Sequence, residues 1–422
     1  MSNSVFAPNR RHAVLGIGAG LGGVALSGCS IAVRRQATLD EQLADLLDAR
    51  DLTAAGLVVR REGEIIYAGS AGYAAGLSPD ENAMGVASRP FLTSSKFRVA
   101  SMTKSVVALA AIRLAQSGEV SLDADVSDYL GYAFRHPYAP DRAITLTMLL
   151  AHTSGVTDPD NYWSVPSGQF RDLLTPNIFR PLGSHRLGEF FEYANINFGI
   201  AAAALESAAG ERFDHLTKRL ALDPLDLDVG LNWSGVSPEM RALGASLYRR
   251  DDAGDWRIQI DGPDMLTSEE PAVLLYGDAT LEAYQIGANG ALFSPQGGLR
   301  ASLEDLVIIA EAVQRSLEMR QPIWTRDAAG DNGIHDDSFF QSIGLGSFLY
   351  KAQDSPWTGK DIIGHHGEAY GLHGAYWATL DEDIQIAYAA VGIPEIPPMR
   401  AVHPALNIYT APLMALAQDA LA

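Results

Sequence analysis

Cysteine is almost missing from this chain. Cys29 is the only one in 422 residues, so no disulfide can form within one molecule and the fold must rest on packing alone. Positive charge is short as well: 31 Lys and Arg face 51 Asp and Glu, a net charge of −20. A body of that sign is repelled by nucleic acid and by anionic lipid, so neither is expected as an electrostatic partner. The ten histidines make no H-E-x-x-H pattern and have no cysteine partners, which speaks against a metal site. No G-x-G-x-x-G opens a helix after a strand, so no cofactor is inferred. A G-x-S-x-G elbow is absent too. Beyond residue 30 no apolar run is long and charge-free enough to span a bilayer.

What is present is an ordinary globular composition, 47% hydrophobic, with ample material for a large core. The first residues, MSNSVFAPNRRHAVLGIGAGLGGVALSGCS, are a different matter. A basic pair, Arg10 and Arg11, precedes an apolar, Gly-rich run from Ala13 to Leu26, which reads as an export signal. It ends in Leu26-Ser27-Gly28-Cys29, similar to the lipobox of bacterial lipoproteins. Lipidation would account for a lone cysteine in an exported protein. Residues 1–28 are thus expected to be a lipoprotein signal and 29–37 a tether, with Cys29 the lipidation site. Ser30 in place of Asp favours the outer membrane, facing the periplasm of a two-membrane bacterium. Arg10 and Arg11 leave twin-arginine export open beside the general route.

From Thr38 the spacing of Leu39, Leu43, Leu46 and Leu47 predicts an amphipathic helix capped by Thr38. Two β-rich runs around Glu62-Gly63 read as a hairpin. Phe97 to Gly118 reads as one helix, residues 143–151 as another, and FEYANINFGIAAAALESAAG as a loop running into an Ala-rich helix. Ser302 caps a further helix. Strand signals return at 361–366, 374–380 and 384–391, before a final helix over 403–421. The order predicts an α+β body whose sheet is built from both ends of the chain. On this reading 38–135 and 285–422 form the body and 136–284 a mostly helical insertion.

The helix FRVASMTKSVVALAAIRLAQSG carries a serine and a lysine three residues apart in its first turn, Ser101 and Lys104. They share a helix face. A serine hydroxyl needs a base, and a lysine becomes one when desolvation lowers its pKa, as Met102, Val106, Val107 and Leu109 would ensure. The plain alternative is an N-cap serine beside a lysine reaching for water. Tyr193-Ala194-Asn195 offers a phenol for proton relay and an amide to hold a substrate, or else a packed ring and a cap. Gly364-His365-His366-Gly367 opens the late strand region, or is a turn with surface histidines. A Ser–His–Asp triad through His152 or His365 is conceivable without an elbow; His152, in LLAHTSGV, reads rather as part of a helix stop.

In order, these three sites resemble the S-x-x-K, Y-x-N and K-T-G motifs of serine β-lactamases and penicillin-binding proteins, with His365-His366-Gly367 replacing the last. Segments such as AFRHPYAPDRAITLTMLLAHTSGV and IIGHHGEAYGLHGAYW resemble the class C branch and its family VIII esterase, DD-peptidase and D-aminopeptidase relatives, from about Thr38 to the C-terminus. The resemblance implies an antiparallel sheet flanked by helices plus an inserted helical domain. It implies Ser101 as nucleophile forming an acyl-enzyme, and Lys104 and Tyr193 sharing its proton. Asn195, His365, Gly367 and Glu368 would bind substrate, with the N–H groups of Ser101 and Glu368 as oxyanion hole. Histidine for lysine at 365 points from β-lactams toward small esters, amides or D-amino-acid peptides. β-Lactamase or DD-carboxypeptidase action is the alternative, and a non-catalytic relative binding peptidoglycan or a partner protein is another.

Overall fold

A computed structural model describes residues 26–83, 85–165, 167–251, 253–259, 273, 275–334, 339–394 and 403–422. The signal-like run up to residue 25 and the side chain of Cys29 lie outside them. Helix α1 (Leu26–Arg50) buries Leu39, Leu43, Leu46 and Leu47, as their spacing requires. It starts twelve residues before Thr38, so Thr38 is no cap and the expected tether 29–37 is helical. Neither glycine nor proline interrupts 29–37, and Gln36 bonds Asp40 one turn on, at 3.0 Å.

The main sheet has nine strands among the described residues. They are β1 (Ala54–Arg61), β2 (Glu64–Ala75), β3 (Arg89–Pro90), β4 (Trp324–Thr325), β5 (Ser342–Gly344), β6 (Ser347–Tyr350), β7 (Ile362–Ala369), β8 (Leu372–Thr379) and β9 (Ile384–Val391). Their order is β3-β2-β1-β9-β8-β7-β6-β5-β4, antiparallel throughout. The N-terminal hairpin therefore pairs with the last strand, Ala54 opposite Val391 and Arg61 opposite Ile384. Glu62 and Gly63 both take positive φ, 51° and 85°, the turn that suits the twist of a two-residue hairpin.

Alternation along β1 sends Leu57 and Val59 to one face and Val58 to the other. On the first face lie α1 and the C-terminal helix Thr410–Leu421. The second face packs on α2 (Thr103–Gln116) and α4 (Leu303–Arg315), and α3 (Ile196–Ala209) joins the same buried cluster by packing on α2. Ser302 caps α4 through a capping box with Asp305. Residues 136–284 supply α3 and several single-turn helices joined by loops. Helix 143–151 is shorter than expected, Leu146–Leu150, because Thr145 bridges to Asp125 before capping it.

Candidate active site

Ser101 does not sit within a continuous helix. Phe97–Arg98 is a short strand paired with Leu299–Ala301, and the chain then turns through Ala100 at φ +52° into a 3₁₀ turn, Ala100–Met102. A non-glycine residue in the left-handed region needs its surroundings to hold it. The Thr103 hydroxyl does so, donating to the Ala100 carbonyl at 2.7 Å and accepting from the Leu299 N–H at 3.1 Å. The Ser101 side chain caps no helix, which removes the N-cap alternative.

Lys104 lies in the first turn of α2 and is fully buried, so it does not reach for water. Its Nζ donates to Ser101 Oγ, Asn195 Oδ1 and the Gln296 carbonyl, each at 2.9 Å. Desolvation lowers its pKa to about 7, against an opposing pull from Asp158. At neutral pH the amine is therefore available as a base. It also stands 4.8 Å from the Tyr193 ring centroid, over the ring face.

Asn195 leads into α3, and what orients it is Asp158, a residue the sequence motifs missed. One carboxylate oxygen accepts from the Asn195 N–H and from its Nδ2, both at 2.9 Å; the other accepts from the Ile196 N–H at 2.8 Å. The carboxylate thus caps α3 and turns the Asn195 oxygen toward Lys104. Only its place in a polar loop six residues after His152 could have drawn notice to Asp158. Gln296 contributes through its main chain, which no side-chain motif can report.

Tyr193 is held from below by His152. Their rings stack at 4.3 Å and 24°, and His152 Nδ1 accepts from the Ala194 N–H at 3.1 Å. Burial and the nearby Lys104 keep His152 well below its ordinary pKa, so it is neutral. It orients the ring and stands in no Ser–His–Asp triad. Burial also drives the Tyr193 pKa upward, making the group a phenol and not a phenolate; Ser101 opposes this without supplying a bond of hydrogen-bond geometry.

The third motif lies on β7. Gly367 is required there: a Cβ would fall 2.4 Å from the Val99 carbonyl and 3.4 Å from the Ala100 Cβ, so glycine lets the strand lie against the Ser101 turn. His365 needs correction as a substrate-binding residue. It is 1% exposed and stacks on Phe348 at 4.2 Å, while His366 and Glu368 line the cavities. Strand alternation puts 366 and 368 together and turns 365 away. Burial holds His365 well below its ordinary pKa and His366 at about 3, so neither replaces the lysine's charge.

Ser101, Tyr193, Asn195, His366 and Glu368 converge on one cleft of about 600 Å³. A neighbouring cavity of about 460 Å³ shares Tyr193, His366 and Glu368 but not Ser101.

This constellation agrees with sequence similarity along nearly the whole chain, since residues 39–405 match the sequence profile of the beta-lactamase family. The chain belongs to the beta-lactamase family. Among characterised members, Esterase EstB of Burkholderia gladioli is 31% identical over 226 residues, 53% of this chain and 46% of that protein. The match thus spans less than half of that relative's length. Of solved structures, EstCE1, a hydrolase with promiscuous acyltransferase activity, superposes with a TM-score of 0.63 at 19% identity, covering 93% of this chain and 100% of the other. The D-amino acid amidase from Ochrobactrum anthropi SV3 complexed with D-phenylalanine gives 0.62 at 18% identity, covering 92% and 98%. These two likenesses are of fold.

Proposed function

We propose that this member of the family is a serine hydrolase that works through an acyl-enzyme on Ser101 and acts on small esters or amides, including D-amino-acid derivatives. The observation that carries the reading is the buried Lys104 amine at 2.9 Å from the Ser101 hydroxyl. Neutral Lys104 takes the Ser101 proton as Oγ bonds to the substrate carbonyl carbon. The N–H groups of Ser101 and Glu368 stabilise the oxyanion. The bond to the leaving group then breaks, and the Tyr193 phenol gives that group its proton. Water next adds to the acyl carbon as the Tyr193 phenolate takes its proton, and Ser101 departs with a proton returned by Lys104.

The uncharged third motif supports esters and amides over β-lactams, whose carboxylate finds no cation at 365 or 366. A purely binding role gains nothing from a desolvated amine bonded to a serine. As a finer reading, we take the protein to be a class C-like member exported and held in the cell envelope by a lipid on Cys29.

Ser101→Ala tests the core of this. It is expected to lower p-nitrophenyl ester turnover by about 10³-fold or more and to end labelling by a fluorophosphonate, with circular dichroism unchanged. Turnover that survives the substitution would refute the assignment. Nitrocefin, run in parallel, is expected to be a poor substrate.

A further inference from the structure

We propose that Glu368 receives a positively charged amine of the substrate, so that the preferred substrates are aminoacyl esters or amides with a free α-amino group and an apolar side chain. This rests on the Ser101 reading and names its substrate class. Glu368 follows Gly367, where β7 touches the Ser101 turn, so its side chain stands one residue from the reacting carbonyl's seat. That side chain is 59% exposed and meets His373 Nε2 at 3.4 Å. Among the described residues lining the Ser101 cleft it is the one carboxylate. In the adjoining cavity the only other, Glu192, is ion-paired with Arg180 at 3.0 Å.

The electrostatics around the third motif are thus inverted relative to the K-T-G pattern. Where a lysine would draw a carboxylate, there are two neutral histidines, one buried and one half-buried at the cavity wall, followed by an exposed acid. The adjoining cavity presents Ile334, Phe339, Phe340 and Leu406, an apolar wall for a side chain whose amine lies at Glu368. Arg98 and Arg249 also face the cleft, and both guanidinium groups lie against the Tyr370 ring, at 5.3 and 5.4 Å. They favour the opposite charge, so the test must set the two against each other.

Three kinds of p-nitrophenyl ester of similar size suffice: phenylalanine (both enantiomers), its deamino counterpart 3-phenylpropanoate, and the benzylmalonate half-ester, with a carboxylate at the amine's place. Each kcat/KM at pH 7 is divided by that ester's own hydroxide rate. The amine ester is expected to exceed the neutral one by at least about tenfold, the scale of a charge-assisted hydrogen bond, and that ratio is expected to collapse toward one in Glu368→Gln. Equal rates in the unaltered protein, a ratio untouched by the substitution, or preference for the carboxylate ester would each overturn the proposal. Fluorophosphonate labelling of Ser101 and turnover of the neutral ester report on the serine-hydrolase reading separately; loss of both in the unaltered protein overturns that reading and this one with it.

Discussion

Lys104 loses its proton near neutrality because burial strips it of water, with the Asp158 carboxylate pulling the other way to hold the proton on. Ester hydrolysis should therefore rise with pH through about 7, as the ammonium of Lys104 becomes an amine. In Asp158→Asn the favourable charge is gone, the amine deprotonates more readily, and the acid limb of kcat/KM against pH should move to lower pH. The maximum should also fall about tenfold, since an amide cannot accept from all of the donors that meet this carboxylate. A limb that stays in place would show that Asp158 does not act on Lys104. At this scale the sequence was partly legible. Ser101, Lys104, Tyr193 and Asn195, which the fold brings together, could be picked out because side-chain chemistry recurs at fixed spacing. Asp158 was not, because its role depends on a loop reaching the start of α3, and contact of that kind leaves no periodic trace. His365 was misassigned because a motif letter does not say which face of a strand will be buried.

The elements set the site's shape through close approach. β7 can touch the Ala100–Met102 turn only because Gly367 has no side chain. Gly367→Ala should cost about 1–3 kcal/mol in chemical denaturation and depress turnover more than it depresses folding, because the displaced group is the Ser101 turn itself. Unchanged activity would mean that the turn is not positioned by β7. Helix and strand identities were read well wherever periodicity was strong: the leucines of α1, the hairpin at Glu62-Gly63 and the late strands all fell where expected. Boundaries failed where tertiary pairing outweighed local preference. Phe97–Arg98 joined a small sheet instead of extending α2, and α1 ran back to Leu26.

Across the whole molecule, Glu206 ties the middle of the chain to the site. It ends α3 and accepts from the Phe213 N–H and the Gly287 N–H, each at 2.7 Å, and from the Tyr284 hydroxyl at 2.6 Å. The loop it grips leads on to Gln296, whose carbonyl meets Lys104. Burial raises its pKa from 4.5 to about 7. Between these values the folded chain keeps a proton that the unfolded chain has released, so this group's contribution to stability is full below about 4.5 and is lost as pH rises through about 7. Glu206→Gln should remove that slope, and should lower stability by about 1–3 kcal/mol because an amide nitrogen would face N–H donors. Thermal midpoints between pH 5 and 8 measure both effects; an unaltered slope would assign the pH dependence to other groups.

The pairing of β1 with β9 also fixes when this protein can first work. Until Ile384 to Val391 has left the ribosome, and any export channel, the opening hairpin has no neighbour on its inner edge and the sheet stays in two halves. A nascent chain can carry Ser101 and Lys104 long before then, yet it cannot bring β7 against their turn on a finished scaffold. On the proposed function, hydrolytic competence should therefore arrive late and all at once, after synthesis is nearly done.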